Sequence, residues 1–128
     1  MFFAPFDRDD GGREPSITIL VIDTDPGVRW AIDKGLQKSG FDVIAVGSVA
    51  DALAAATSRS LACIVMELLP EAGLTQDVLT MLIETPNAPR VVCVSVDSAP
   101  QLVIECMRRG AADFLPKPLD PARLVRWI

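Results

Sequence analysis

The sequence contains no histidine. That absence removes histidine-based catalytic triads and the commonest zinc ligand. Cysteine is scarce: Cys63, Cys93 and Cys106 are an odd number, each lies in apolar surroundings, and no Cys-x-x-Cys spacing occurs. They read as small core residues of a reduced, cytoplasmic protein, not as a disulfide framework or a redox pair. No apolar run approaches the length needed to cross a bilayer. The N-terminal stretch is acidic and lacks an extended apolar segment, so no signal peptide is read there. There is no basic cluster, and the formal net charge is −5. Both argue against nucleic-acid binding by this segment.

What is present is a core. Half of the 128 residues are hydrophobic, enough for one folded domain and too many for a disordered chain. Residues 1–16 mix Gly, Pro and charge without a period and read as a flexible N-terminal arm; the domain is expected over 17–128. Five short apolar runs follow: Ile17–Ile22, Phe41–Val46, Leu61–Met66, Arg90–Ser95 and Ala112–Leu115. Runs of this length read as strands, and the β-branched run Ile17–Ile22 reads as one buried on both faces.

Helical patterns separate the strands. Asp25-Pro26 supplies an N-cap and a proline at the first helical position, and Ser39-Gly40 stops that helix. Its inward stripe is Val28, Ala31, Ile32, Gly35 and Leu36. An alanine-rich helix is predicted over Val49–Thr57. A third runs from a Thr75 cap to about Glu84, with Val78, Leu79, Leu82 and Ile83 inward. A fourth, capped by Ser98, covers about Ala99–Arg109 and ends at Gly110. Asp120-Pro121 opens a fifth that runs off the end and reads as truncated. Trp30 and Trp127 read as partial core cover, and Glu105, Arg108 and Arg109 as a solvated face. Strictly alternating strands and helices mean a single parallel sheet with helices on both faces.

The strand ends carry the chemistry. Asp23 follows the first strand, Glu67 the third, Ser95 ends the fourth, and Lys117 follows the fifth between Pro116 and Pro118. In a parallel sheet these groups converge on the C-terminal edge, where open α/β sheets bind ligands.

With those residues in place, the sequence resembles the receiver domain of two-component response regulators. The resemblance covers about residues 17–128. It is carried by Ile-Leu-Val-Ile-Asp-x-Asp-Pro-x-Val-Arg at the start and by Ser95 through Pro118, including Gly110-Ala111-Ala112-Asp113-Phe114 and Lys117-Pro118. Arg29-Trp30 and the stretch Asp113–Pro118 lean toward the nitrogen-regulator subfamily, whose receivers precede an ATPase and a DNA-binding domain. The resemblance implies a flavodoxin-like sheet of strand order 2-1-3-4-5 and phosphoryl transfer from a histidine kinase onto a carboxylate at the end of strand three. It implies Mg²⁺ held by acidic residues, a lysine, a switch hydroxyl and a switch aromatic. By position these roles fall to Asp23 for the metal, Lys117, Ser95 and Phe114. The resemblance also implies a cis Lys117–Pro118 peptide.

Three positions depart from the family pattern. Thr24 stands where a second metal-binding acid is usual, Glu67 replaces the acceptor aspartate, and Pro70 follows one residue too early. The extra methylene of Glu67 displaces its carboxylate by about 1.5 Å, and in-line chemistry loses heavily from such displacements. A neutral hydroxyl attracts Mg²⁺ less than a carboxylate. The expectation is a degenerate receiver: not an enzyme, weak toward Mg²⁺ with Asp23 and Glu67 as its anionic ligands, and free of ordinary phosphorylation. Glu67 is expected to pair with Lys117, either imitating an aspartyl phosphate or as a structural relic. The alternatives are a working receiver phosphorylated at Glu67, and a flavodoxin-like binding protein or enzyme. The latter needs a Ser/Thr/Gly-rich phosphate loop, and Asp23-Thr24-Asp25-Pro26 would repel phosphate.

The expected partners are an output domain in the same chain or a separate protein, a histidine kinase, and a second copy of the chain. Leu102, Val103 and Ile104 span about 200° of their helix at 100° per residue. At least one must face outward, so Leu102 or Ile104 is expected on an exposed partner face.

Overall fold

The computed structural model describes residues 17–58 and 60–128, apart from the side chain of Trp127. The expected N-terminal arm and the expected cover by Trp127 lie outside the described residues. The elements alternate along the chain: β1 Thr18–Ile22, α1 Pro26–Lys38, β2 Asp42–Val46, α2 Val49–Ser58, β3 Cys63–Glu67, α3 Gln76–Ile83, β4 Arg90–Ser95, α4 Pro100–Arg108, β5 Asp113–Pro116 and α5 Pro121–Leu124. Short 3-10 turns cover Pro70–Ala72 and Val125–Trp127. All strand pairs are parallel, in the order β2-β1-β3-β4-β5.

Two apolar layers follow from the two-residue period of the strands. Leu20, Ile22, Ile64 and Met66 point to one face, where they meet Ala52 and Ala56 of α2, Val78, Leu79 and Leu82 of α3, and Cys106 of α4. Ile19, Val21, Val65, Val92 and Val94 point to the other and meet Ile32 and Leu36 of α1 and Leu124 of α5. Every residue of β1 and β3 is buried, as strands covered on both faces require. All three cysteines are free and buried. Burial holds each thiol above its ordinary range, Cys63 up to about 11.

Helix starts and stops follow local chemistry. The Asp25 carboxylate accepts from the Gly27 and Val28 amides, and Pro26 occupies the first helical position. Asp120 repeats the arrangement for α5 by accepting from Ala122. Gly40 and Gly110 take φ of +90° and +109° just past α1 and α4, a region that costs residues with a Cβ.

Several expectations are corrected. Ser98 does not cap α4; Asp97 accepts from the Ala99 amide instead, because the turn places its carboxylate two residues upstream. Thr75 sits at the start of α3, but its side chain makes no capping bond. Ala31 lies at the margin of the α1 stripe and is exposed. Trp30 is 65% exposed, since the α1 surface that faces the sheet is filled by Ile32 and Leu36. Arg109 is half-buried rather than part of a solvated face. It donates to Asp77 and Thr80 of α3 and to Glu105, which also accepts from Gln76. This polar cluster ties α4 to α3.

A close contact between α1 and α5 rests on Gly35. A Cβ there would lie 2.7 Å from Pro121 of α5. Helix propensity alone favours Gly35→Ala by about 1 kcal/mol, whereas overpacking costs about 1–3 kcal/mol. The substitution should therefore lower stability by about 1 kcal/mol in urea denaturation. A stabilised Gly35→Ala protein would mean that α5 yields freely.

Candidate functional site

The C-terminal sheet edge gathers the strand-end residues. Asp23 follows β1, Glu67 ends β3, Ser95 ends β4 and Lys117 follows β5. Asp23, Glu67 and Ser95 are buried, with Glu67 7% exposed. The Lys117 ammonium reaches both carboxylates, at 2.8 Å from Asp23 Oδ2 and 2.5 Å from Glu67 Oε2. Lys117 is placed by its own backbone, whose N–H donates to the Ser95 carbonyl at 3.0 Å, and by a cis peptide to Pro118.

The other Glu67 oxygen is also engaged. Oε1 accepts from the Thr24 amide at 3.0 Å and from the Thr24 hydroxyl at 2.9 Å. Asp23 Oδ1 accepts from the Asp25 amide at 2.9 Å. All four carboxylate oxygens of Asp23 and Glu67 thus have protein donors, and no buried side-chain polar atom among the described residues lacks a partner. This is the condition under which buried charge is tolerated.

Two further contacts fix the β1–α1 loop. Arg29 Nη1 donates to the Asp23 carbonyl at 2.7 Å. Its guanidinium then lies over Gly47, where a Cβ would come within 2.5 Å of Nη1. The loop after Glu67 is equally constrained. Leu69 and Leu74 exchange backbone bonds of 2.9 and 3.2 Å around the Pro70–Ala72 turn, and Gly73 takes φ of +79°. The early proline is absorbed as the first residue of this turn.

The switch positions stand apart from this network. The Ser95 hydroxyl oxygen accepts from the Asp97 amide at 3.0 Å rather than engaging Glu67. Phe114 is half-buried and packs against the core layer formed with α3 and α4. On α4, Leu102 packs against that same layer, while Ile104 is 49% exposed. Of the two residues expected on the partner face, Ile104 is therefore the exposed one. Sequence reasoning missed three participants: the Thr24 donor pair, the Arg29 bond to the Asp23 carbonyl, and Asp97. For Thr24 a signal existed, since a donor at the end of one strand faces an elongated carboxylate at the end of its neighbour.

The model of the response regulator receiver domain matches residues 19–128. The chain belongs to this family. The receiver is 32% identical over 120 residues to the transcriptional regulatory protein PrrA of Mycobacterium tuberculosis, covering 94% of this chain and 51% of that protein. It is 31% identical over 103 residues to the photosynthetic apparatus regulatory protein RegA of Cereibacter sphaeroides, covering 80% and 56%. The transcriptional activator protein PfeR of Pseudomonas aeruginosa is 30% identical over 110 residues, covering 86% and 36%. The chain thus spans about a third to a little over half of these relatives' lengths. Among solved structures, a two-component response regulator from Clostridium difficile matches with a TM-score of 0.80 at 19% identity, covering 87% and 91%. A Burkholderia pseudomallei response regulator matches at 0.79 and 19%, covering 86% and 65%; its structure holds a phosphorylated aspartic acid and a calcium ion. No helix among the described residues is long and apolar enough to cross a membrane.

The receiver family implies a divalent cation at this edge, and the donor set here does not fit one. Mg²⁺ asks for near-octahedral oxygen ligation. The carboxylate oxygens already face N–H or O–H donors, and the Lys117 ammonium lies between Asp23 and Glu67. Among the described residues no group of three His, Cys, Asp or Glu is placed to hold a metal.

Burial works against the Glu67 carboxylate, but its bonds to Lys117 and Thr24 outweigh burial and hold it below the ordinary carboxylate range. Burial likewise works against the Lys117 ammonium, and its bonds to Asp23 and Glu67 raise it above the ordinary lysine range. The two signs define a window. Glu67 contributes stability above the ordinary carboxylate range, lost as pH falls through its depressed folded value; Lys117 contributes below the ordinary lysine range, lost as pH rises through its raised folded value. Glu67→Gln should flatten the acid limb of a stability-versus-pH curve from urea melts. Lys117→Met should cost about 3 kcal/mol at neutral pH, because it leaves two buried carboxylates without their cation. An unchanged acid limb in Glu67→Gln would count against the pairing.

Proposed function

We propose that this receiver domain acts as a phosphorylation-independent pseudo-receiver in two-component signalling, controlling an output domain in the same chain or a partner protein in the cytoplasm. The observation that carries the reading is the engagement of both Glu67 oxygens by Thr24 and Lys117. A carboxylate nucleophile must present a free oxygen to phosphorus, and phosphoryl transfer depends on charge-neutralising groups around the transferred oxygens. Here the lysine is committed to Asp23 and Glu67, and the acid usual beside Asp23 is a threonine that donates to Glu67. Mg²⁺ binding is accordingly weak.

Between the two roles open to Glu67, the geometry supports a fixed structural link over phosphate imitation. Imitation requires the Glu67 carboxylate to accept from the Ser95 hydroxyl, and both Glu67 oxygens accept from Thr24 and Lys117 instead. The likeness to a transcriptional activator and a transcriptional regulatory protein favours an output domain that regulates transcription. The narrower nitrogen-regulator assignment rests on the resemblance of Arg29-Trp30 and Asp113–Pro118 alone. Self-association or partner binding is assigned to α4, where Ile104 and Met107 are exposed.

The protein should take no phosphoryl group from acetyl phosphate or phosphoramidate, followed by intact mass with beryllofluoride as a parallel probe. Thr24→Asp and Glu67→Asp should each restore little, and the pair should restore labelling non-additively, since metal and nucleophile act on one transition state. A stoichiometric adduct on the unaltered chain, mapped to Glu67, would instead establish a working receiver with an unusual acceptor. On the surface, Ile104→Gln should weaken any self-association seen by sedimentation while leaving the melting temperature unchanged. A dimer indifferent to that change would place the interface elsewhere.

A further inference from the structure

Beside Ser95 lies a cavity of about 350 Å³, between the β3–α3 loop, the β4–α4 loop and α4. Its size falls in the range of about 300–1,000 Å³ typical of small-molecule sites. The walls are mainly apolar. Leu69 and Leu74 come from the bridged loop after Glu67, and Leu102 comes from α4. Val96 stands at the edge, 79% exposed.

Four polar side chains line it; Gln76 is neutral and donates to Glu105, and the other three discriminate among ligands. Ser95 is 3% exposed and lines the cavity. Its hydroxyl oxygen accepts from the Asp97 amide, and the described residues supply no acceptor for its proton. A buried hydroxyl with an unspent donor asks for an acceptor on the occupant. Glu71 and Asp97 put two carboxylates at the rim, which disfavours an anion. A neutral acceptor, such as a carbonyl oxygen, meets both conditions.

We propose that this cavity is a binding site for a neutral, mainly apolar small molecule that carries a carbonyl oxygen, accepted by the Ser95 hydroxyl. The proposal rests on the reading that Glu67 takes no phosphoryl group, since such a group would compete for the Ser95 hydroxyl; the acetyl phosphate experiment tests that reading separately. An occupant touches the β4–α4 loop at Val96 and α4 at Leu102. It would thereby bias the position of α4, the helix that bears the exposed Ile104.

The test is a titration of the unphosphorylated chain, followed by amide proton–nitrogen spectra. Benzylacetone serves as the neutral ketone probe and hydrocinnamate as its anionic counterpart. Benzylacetone should give saturable shifts confined to Leu68–Leu74, Ser95–Asp97 and the start of α4. Hydrocinnamate should bind roughly fivefold more weakly or worse, and Ser95→Ala should weaken benzylacetone by about fivefold, the scale of one net hydrogen bond. Leu102→Trp fills the cavity from α4 and should abolish binding. Should that variant fail to fold, Val96→Trp at the exposed edge blocks the mouth and carries the same expectation. Shifts that stay linear to the solubility limit would overturn the proposal. So would shifts that fall elsewhere or that survive the blocking substitution, and so would equal binding of the anion.

Discussion

A carboxylate buried at the end of a central strand has to be matched by donors or be neutralised. Glu67 sits at that position, and its surroundings are arranged around the requirement. The matching donors come from two other strand ends: Thr24 beyond β1 and Lys117 beyond β5. Each is held by backbone contacts of its own. Thr24 lies in a loop that Asp25 caps and Arg29 bonds at the Asp23 carbonyl, with Gly47 leaving room for the guanidinium. Lys117 is registered to β4 through the Ser95 carbonyl. The sheet order brings β1, β3 and β4 side by side with β5 outside β4, so only the long lysine side chain can reach back across to Asp23 and Glu67.

Two of the three departures from the family pattern, Thr24 and Glu67, make physical sense together. An acid at position 24 would set three carboxylates around one lysine and call for a divalent cation. Threonine removes one negative charge and adds a hydroxyl donor. Glutamate's added methylene carries its carboxylate far enough to meet both that hydroxyl and the Thr24 amide. Either change alone leaves a worse-matched site: aspartate at 67 falls short of the donors, and an acid at 24 repels Glu67. We read the pair as mutual compensation that closes the site with protein groups.

Most of the fold was legible because it rests on local signals that tertiary structure seldom overrides. The β-branched runs, the Asp-Pro helix starts at Asp25 and Asp120, and Gly110 each specify one conformation by sterics or hydrogen bonding. The β4 bounds and the parallel sheet follow from them. What was not legible depends on direction rather than residue type. Trp30 looks like core cover by composition, yet Ile32 and Leu36 take the inward face of α1. Ser98 is a good cap by residue type, yet Ala99 takes the N-cap position of α4 without a side-chain cap, and the turn before it engages Asp97 instead. Arg109 reads as a surface charge until α3 brings Asp77 and Thr80 beside it. At the site, sequence located Asp23, Glu67, Ser95 and Lys117 on one edge but read Thr24 only as a missing ligand. Its role as a donor depends on the separation of neighbouring strand ends, which residue types alone do not give. Likewise, nothing in the sequence turned the Ser95 hydroxyl toward Asp97.

The central claim is that the sheet edge is closed by protein donors and leaves no place for a divalent cation. A Mg²⁺ titration followed at the Thr24 amide and the Lys117 ammonium by nuclear magnetic resonance tests it most directly. The account predicts that both signals hold their positions, with any drift unsaturated into the millimolar range. Saturation at tens of micromolar, with the Thr24 amide losing the shift of a bonded proton and Lys117 leaving the carboxylates, would contradict it.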